Sequence, residues 1–248
     1  MHQTLANATF QVIAGDSRGS GFSFMREDLV VTNFHVVAAC CNLQNQNLRQ
    51  INHVILQTES NEHIEAQILY IDDDNDFAIM RLQSPLPAGR TVLQPSVGFT
   101  PTRGKKLIFA GYPHGLPQLL TNEGIISAPL ESGRFALDGM VNGGNSGGPI
   151  IDRETGEAVG IVTQRRYILP PDAQQLSNEV AQLRGYLAQA AQQMSVEVMG
   201  VNFGRMADMF SRSLQMVNEM LNLNANPGIG TGFSLEPIVN AVNSLPQH

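Results

Sequence analysis

The sequence predicts a mainly β protein whose helices are confined to its C-terminal part, and three observations carry that prediction. Short apolar runs broken by turn residues recur from residue 8 to about 168, as in the strands of a sandwich or barrel. Glycine (23) and proline (13) are frequent enough to supply the tight turns such a fold needs. After Pro170-Pro171-Asp172 the apolar period lengthens to that of helices.

The strand-like runs are Phe10–Ala14, Gly21–Phe24, Leu29–Thr32, His53–Gln57, Ile64–Tyr70, Phe77–Leu82, Lys106–Ala110, Gly124–Ser127 and Glu157–Thr163. Between the sixth and seventh, Ser84–Thr102 carries prolines at 85, 87, 95 and 101 and reads as a link between two such units. Asp172 followed by Gln175 has the spacing of a helix-starting capping box. Leu176, Val180, Leu183, Leu187 and Met194 then form one apolar stripe. Beyond Gly200 and Gly204, Met206, Met209, Phe210, Leu214, Val217 and Leu221 form a second, which Asn226-Pro227-Gly228 ends. Residues 172–224 are therefore expected to form one or two long helices.

The bulk numbers exclude several function classes. With 248 residues, 42% hydrophobic and 15% charged, the chain can bury a sizeable core. Its net charge of −7 repels nucleic acid and anionic membrane alike. No apolar stretch is long enough to span a bilayer. MHQTLANATFQV has neither a basic start nor an apolar core, so no signal peptide is expected and a cytoplasmic location follows as an expectation. The two cysteines, Cys40 and Cys41, are neighbours and poorly placed to bridge; inert buried thiols in a reducing compartment are expected.

The most specific signal is Gly143-Gly144-Asn145-Ser146-Gly147-Gly148-Pro149. Glycines around a serine let backbone N–H groups approach a reacting carbonyl, and those of Gly144 and Ser146 can converge on a developing oxyanion. The segment resembles the nucleophile loop of chymotrypsin-like serine proteases, closest to the bacterial HtrA (Deg) branch, where it reads GNSGGP. Gly19-Ser20-Gly21-Phe22 with Leu29-Val30-Val31-Thr32-Asn33-Phe34-His35-Val36-Val37 resembles that family's histidine segment. Asp74-Asn75-Asp76-Phe77-Ala78-Ile79 resembles its aspartate segment. Gly111-Tyr112-Pro113 and Thr121-Asn122-Glu123-Gly124-Ile125-Ile126-Ser127 resemble the strand pair opening its second barrel.

This resemblance implies two six-stranded antiparallel Greek-key barrels. One, 8–90, would bring His35 and Asp76; the other, 100–168 plus 228–240, would bring Ser146; 172–226 would be a helical insertion. Ser146 would be the nucleophile, His35 its base, Asp76 the group that orients the imidazole, and Gly144, Asn145 and Ser146 the oxyanion loop. Met140 would lie at the base of the pocket for the residue preceding the scissile bond (P1), where no acid stands to hold Arg or Lys. Gly160-Ile161-Val162-Thr163 would line that pocket and pair with substrate as an added strand. Small or medium apolar P1 residues follow. Asn145 stands where many animal trypsin-like enzymes have an aspartate that pairs with a newly cut N-terminus, so control is expected to be conformational.

No metal or cofactor is expected: His114 reads as a loop residue, and Asp72-Asp73-Asp74 lacks the glycine and ligand spacing of a calcium loop. HtrA proteases usually continue into a PDZ domain, which nothing in this sequence resembles. Six of the ten methionines fall between 194 and 220, as packing between helices or as an adaptable groove. In the second case, helices 172–226 would receive a regulatory partner or another copy of the chain. The expected activity is a serine endopeptidase acting on protein or peptide substrates; the alternative is a latent or silent protease-fold binding module regulated through its helices.

Overall fold

The computed structural model describes residues 1–44, 47–113, 116–165, 171–193, 197–198, 200–224 and 228–246. His114, Met194 and Met199 lie outside them, as do the side chains of Asp172 and Leu221. In chain order, helix α1 (His2–Ala8) leads into strands β1 (Thr9–Ala14), β2 (Ser17–Ser23) and β3 (Leu29–Thr32). A short helix α2 (Phe34–Val37) follows, then β4 (Cys41–Gln44), β5 (Asn47–Gln50), β6 (Val54–Gln57), β7 (His63–Asp72) and β8 (Phe77–Leu82). After the proline-rich link come β9 (Lys106–Gly111), β10 (Leu120–Pro129), β11 (Arg134–Asp138), β12 (Pro149–Asp152) and β13 (Ala158–Arg165). The rest is α3 (Pro171–Gln193), β14 (Glu197–Val198), β15 (Val201–Asn202), α4 (Phe203–Asn224), β16 (Ile229–Ser234) and α5 (Glu236–Ser244).

Two closed antiparallel barrels result, in the order β1-β2-β3-β8-β7-β6 and β10-β11-β16-β13-β12-β9. The fold class expected from the sequence is therefore the one observed. Phe10, Val12, Val30, Val54, Leu56 and Met80 fill the first barrel. Leu107, Phe109, Phe135, Leu137, Ile150 and Val162 fill the second. A third cluster, with Phe22, Phe24, Phe77 and Ile79 of the first barrel and Ile108, Ile151, Ile161 and Phe233 of the second, joins them, and Leu5 of α1 and Ile238 of α5 close it. β3 and β12 are buried on both faces, which explains their unbroken apolar runs.

Residues 166–227 cluster separately from the barrels. Within that unit α3 and α4 form a helical pair, in which Ser211 Oγ donates to the Arg184 carbonyl (3.3 Å). The apolar stripes are only partly covered: Val180, Leu187, Met206 and Leu214 are half-buried. Gly204, Ala207 and Ser211 are buried, whereas Met209, Phe210, Met216 and Val217 are about half exposed or more, as are Leu183 and Tyr186 of α3. Small residues let two backbones approach closely and leave the bulky ones outside. Gln175, expected to cap α3, donates instead to Glu179 one turn on (2.9 Å). No described helix is long and apolar enough to cross a membrane.

Both cysteines are free, and burial pushes both thiols up from their ordinary value, Cys40 adding a repulsive contribution at Cys41. An ion pair between a buried carboxylate and a half-buried lysine ties β12 to the loop before β9: Lys105 Nζ lies 2.6 Å from Asp152 Oδ2. Burial by itself would raise the Asp152 carboxyl pKa, but Lys105 and the backbone N–H groups of Glu154 and Thr155 outweigh it and hold it below the ordinary value. A carboxyl held lower in the folded chain than in the unfolded one contributes its stability above the unfolded pKa, about 4, and loses it as pH falls through the folded value. Asp152→Ala is therefore expected to cost about 2–4 kcal/mol at pH 7, and less towards pH 3. Urea midpoints at the two pH values read this, and an equal loss at both would contradict it.

Candidate active site

His35, Asp76 and Ser146 come from three different loops where the barrels meet. His35 opens α2 directly after β3, Asp76 precedes β8, and Ser146 precedes β12. The Asp76 carboxylate gathers three donors. His35 Nδ1 lies 2.8 Å from Oδ2, the His35 backbone N–H reaches Oδ1 (3.0 Å), and Thr163 Oγ1 donates to Oδ2 (3.0 Å). The side-chain and backbone contacts together fix the imidazole plane and leave Nε2 as the working nitrogen. Asp76 itself sits at φ +52, a left-handed conformation unfavourable to a residue with a side chain. Buried Asn33 holds it there, its Nδ2 donating to the Asp76 carbonyl (2.8 Å).

Ser146 Oγ donates to the Thr163 carbonyl (3.3 Å). Among the described residues it makes no hydrogen bond to His35. Thr163, expected only as a substrate contact, thus touches both Asp76 and Ser146 and joins the two halves of the site. The loop around the serine is tightly held. Asn145 N–H donates to the Asn142 carbonyl (3.1 Å), Gly147 N–H to Val162 (2.8 Å) and Gly148 N–H to Asn145 (2.9 Å). Gly144 and Ser146 keep their N–H groups free of internal acceptors among the described residues, as an anion-binding pair requires. Asn145 was expected with them, but its N–H is already spent on Asn142 and its side chain is buried, so it is not a donor to the oxyanion.

Two further expectations are corrected by strand pairing and exposure. Gly160 and Ile161 of β13 pair with β12 on one side and β16 on the other. Val162 pairs with β16 and exchanges both of its backbone hydrogen bonds with Gly147 and Gly148. Ile161 and Val162 point into cores. Gly160–Val162 therefore has no free edge for an added strand; beyond it β13 pairs, among the described residues, with β16 alone. Met140 is 61% exposed, so it is a surface contact and not a buried pocket floor. Asp72, Asp73 and Asp74 bring carboxylate oxygens together near Asp76. Asp72 is already committed to the N–H and side chain of Asn75.

Comparison with known proteins gives a consistent picture. A family model described as a trypsin-like peptidase domain matches residues 19–161, a span that contains His35, Asp76 and Ser146. The chain is 28% identical over 156 residues to Serine protease HTRA1B of Danio rerio, covering 58% of this chain and 30% of that protein. It is 31% identical over 158 residues to Protease Do-like 1, chloroplastic, of Arabidopsis thaliana (58% and 32%). With Serine protease HTRA3 of Homo sapiens it shares 30% over 158 residues (59% and 33%). The chain spans about a third of the length of these relatives. Among solved structures, the serine endoprotease from Yersinia pestis superposes with a TM-score of 0.55 at 23% identity, over 73% of this chain and 64% of that one. That likeness is one of fold.

Proposed function

The chain belongs to the trypsin-like peptidase domain family, and from that premise we propose that it is a serine endopeptidase that cleaves protein or peptide substrates through an acyl-enzyme. The observation that carries this reading is the Asp76 carboxylate, which holds His35 Nδ1 directly and reaches Ser146 through Thr163. In the reaction, Ser146 Oγ leaves the Thr163 carbonyl and passes its proton to His35 Nε2 as it attacks the scissile carbonyl. The imidazolium then protonates the leaving amine, while Asp76 stabilises its charge. The N–H groups of Gly144 and Ser146 stabilise the oxyanion. Water, deprotonated by His35, releases the acyl group. A substrate strand would pair with β13 beyond Val162, where, among the described residues, only β16 pairs with it. A preference for small or medium apolar P1 residues is part of this reading, resting on the family resemblance and not on Met140, which is exposed.

A second reading has its own observation. Ser146 Oγ is bonded to Thr163 and not to His35, the arrangement of a latent enzyme that needs a signal, with the helices at 172–226 as the place to receive it. A fluorophosphonate probe separates the two. Wild type is expected to be labelled and Ser146→Ala not; folded wild type that resists the probe would favour the latent reading and remove the first.

A further inference from the structure

Ser20, in β2 of the first barrel, has none of its surface exposed and spends every polar group it has. Its N–H donates to the Ser146 carbonyl (2.8 Å) and its hydroxyl to the Gly144 carbonyl (2.7 Å). The same hydroxyl accepts the N–H of Tyr112 (2.9 Å), and the Ser20 carbonyl accepts the hydroxyl of Thr32 (2.7 Å). One residue of the first barrel therefore grips, in the second, the carbonyls on either side of Asn145.

We infer that Ser20 is a positioning residue for the proposed peptidase reaction, a clamp that fixes the 144–145 and 146–147 peptide planes and so holds in place, between them, the 145–146 plane that carries the Ser146 N–H. A trans peptide points its N–H opposite its carbonyl, so holding one aims the other. The Asn145 carbonyl is held by Gly148 N–H, which turns the Ser146 N–H outward. The Gly144 carbonyl is held by Ser20, which leaves the Asn145 N–H facing Asn142. Gly144 sits at φ +93, and glycine resists a peptide flip less than other residues do; a flip of the 144–145 plane would break both bonds at once. Only a hydroxyl of this length donates to the loop and accepts from Tyr112 together. The clamp also joins the two barrels, one carrying His35 and Asp76, the other Ser146.

The inference rests on the peptidase reading, and the test keeps the two apart. Ser20→Ala is compared with Thr9→Val, which removes another fully buried hydroxyl bond, to Leu5, away from the loop. On a short peptide substrate below both melting temperatures, Ser20→Ala is expected to lose about 10- to 100-fold in kcat with KM nearly unchanged. Thr9→Val is expected to lose melting temperature but not kcat. Amide exchange in 142–148 is expected to accelerate about tenfold or more in Ser20→Ala alone. Ser20→Cys keeps a weaker donor and should fall between, and it serves where the alanine variant does not fold. Wild-type kcat and exchange in Ser20→Ala would overturn the clamp. If wild type itself shows no turnover, the peptidase reading fails, and exchange alone decides the clamp.

Discussion

Replacing His35 with alanine is expected to lower kcat about 10⁶-fold while KM and stability stay close to wild type. The size follows from the site's division of labour. Ser146 Oγ rests on a carbonyl that accepts a hydrogen bond but takes no proton, so the proposed attack needs a separate base. In the proposed reaction His35 Nε2 is that base, because Nδ1 is committed to Asp76. The small effect on stability follows from exposure: the imidazole is 48% exposed and contributes little to either barrel core. Single-turnover kinetics with excess enzyme read the loss. A fall of less than about 10³-fold would mean that another group takes the proton.

The second large effect is on the loop itself. Gly147→Ala is expected to destabilise the protein by roughly 3–5 kcal/mol, a large part of a typical domain's total, and to remove activity at any temperature. Gly147 sits at φ +85, and a Cβ there would fall on the Ser20 carbonyl oxygen, within 2.5 Å of Thr32 Oγ1 and 3.0 Å of the Asn33 nitrogen. Two of these are backbone atoms of the first barrel, so the loop must move instead. Gly104 provides the comparison: it has a similar φ of +81 but open space around it. Gly104→Ala should cost only the backbone strain, about 1–2 kcal/mol. Denaturation midpoints of the two variants side by side measure the contribution of crowding, and equal losses would refute it.

Much of this architecture was legible in the sequence because burial leaves a pattern. Each apolar run expected as a strand falls on one, and β7 alternates buried and exposed residues over most of its length. What the pattern missed has physical reasons. β4 and β5 are mostly polar, β11 is only five residues long, and β12 begins at Pro149 inside the glycine motif. In α4 the apolar period was real but ran from half-buried Met206 and Leu214 to exposed Met209, Phe210 and Val217, because hydrophobicity says nothing about how closely two backbones approach at Gly204 and Ala207. His35, Asp76 and Ser146 stood out through their flanking motifs. The contacts of Asn33, Thr163 and Ser20 did not, since a short polar side chain looks the same in sequence whether it reaches water or a carboxylate such as that of Asp76. Gly160–Val162 was expected to offer an edge and is paired on both sides, because sequence marks a strand but not which of its edges is already taken.

Arg165 and Gly230 lie opposite each other in register, as partners on neighbouring antiparallel strands. The chain thus leaves the second barrel and re-enters it through one ladder rung, with the whole α3–α4 excursion in between. Both ends are pinned whatever the excursion contains, so its length adds only a slowly growing loop-closure cost. A helical pair, a longer domain or a two-residue hairpin turn would all satisfy the same junction. The barrels thereby offer a socket at which evolution, or an engineer, can exchange modules while the rungs from Arg165–Gly230 inward stay paired.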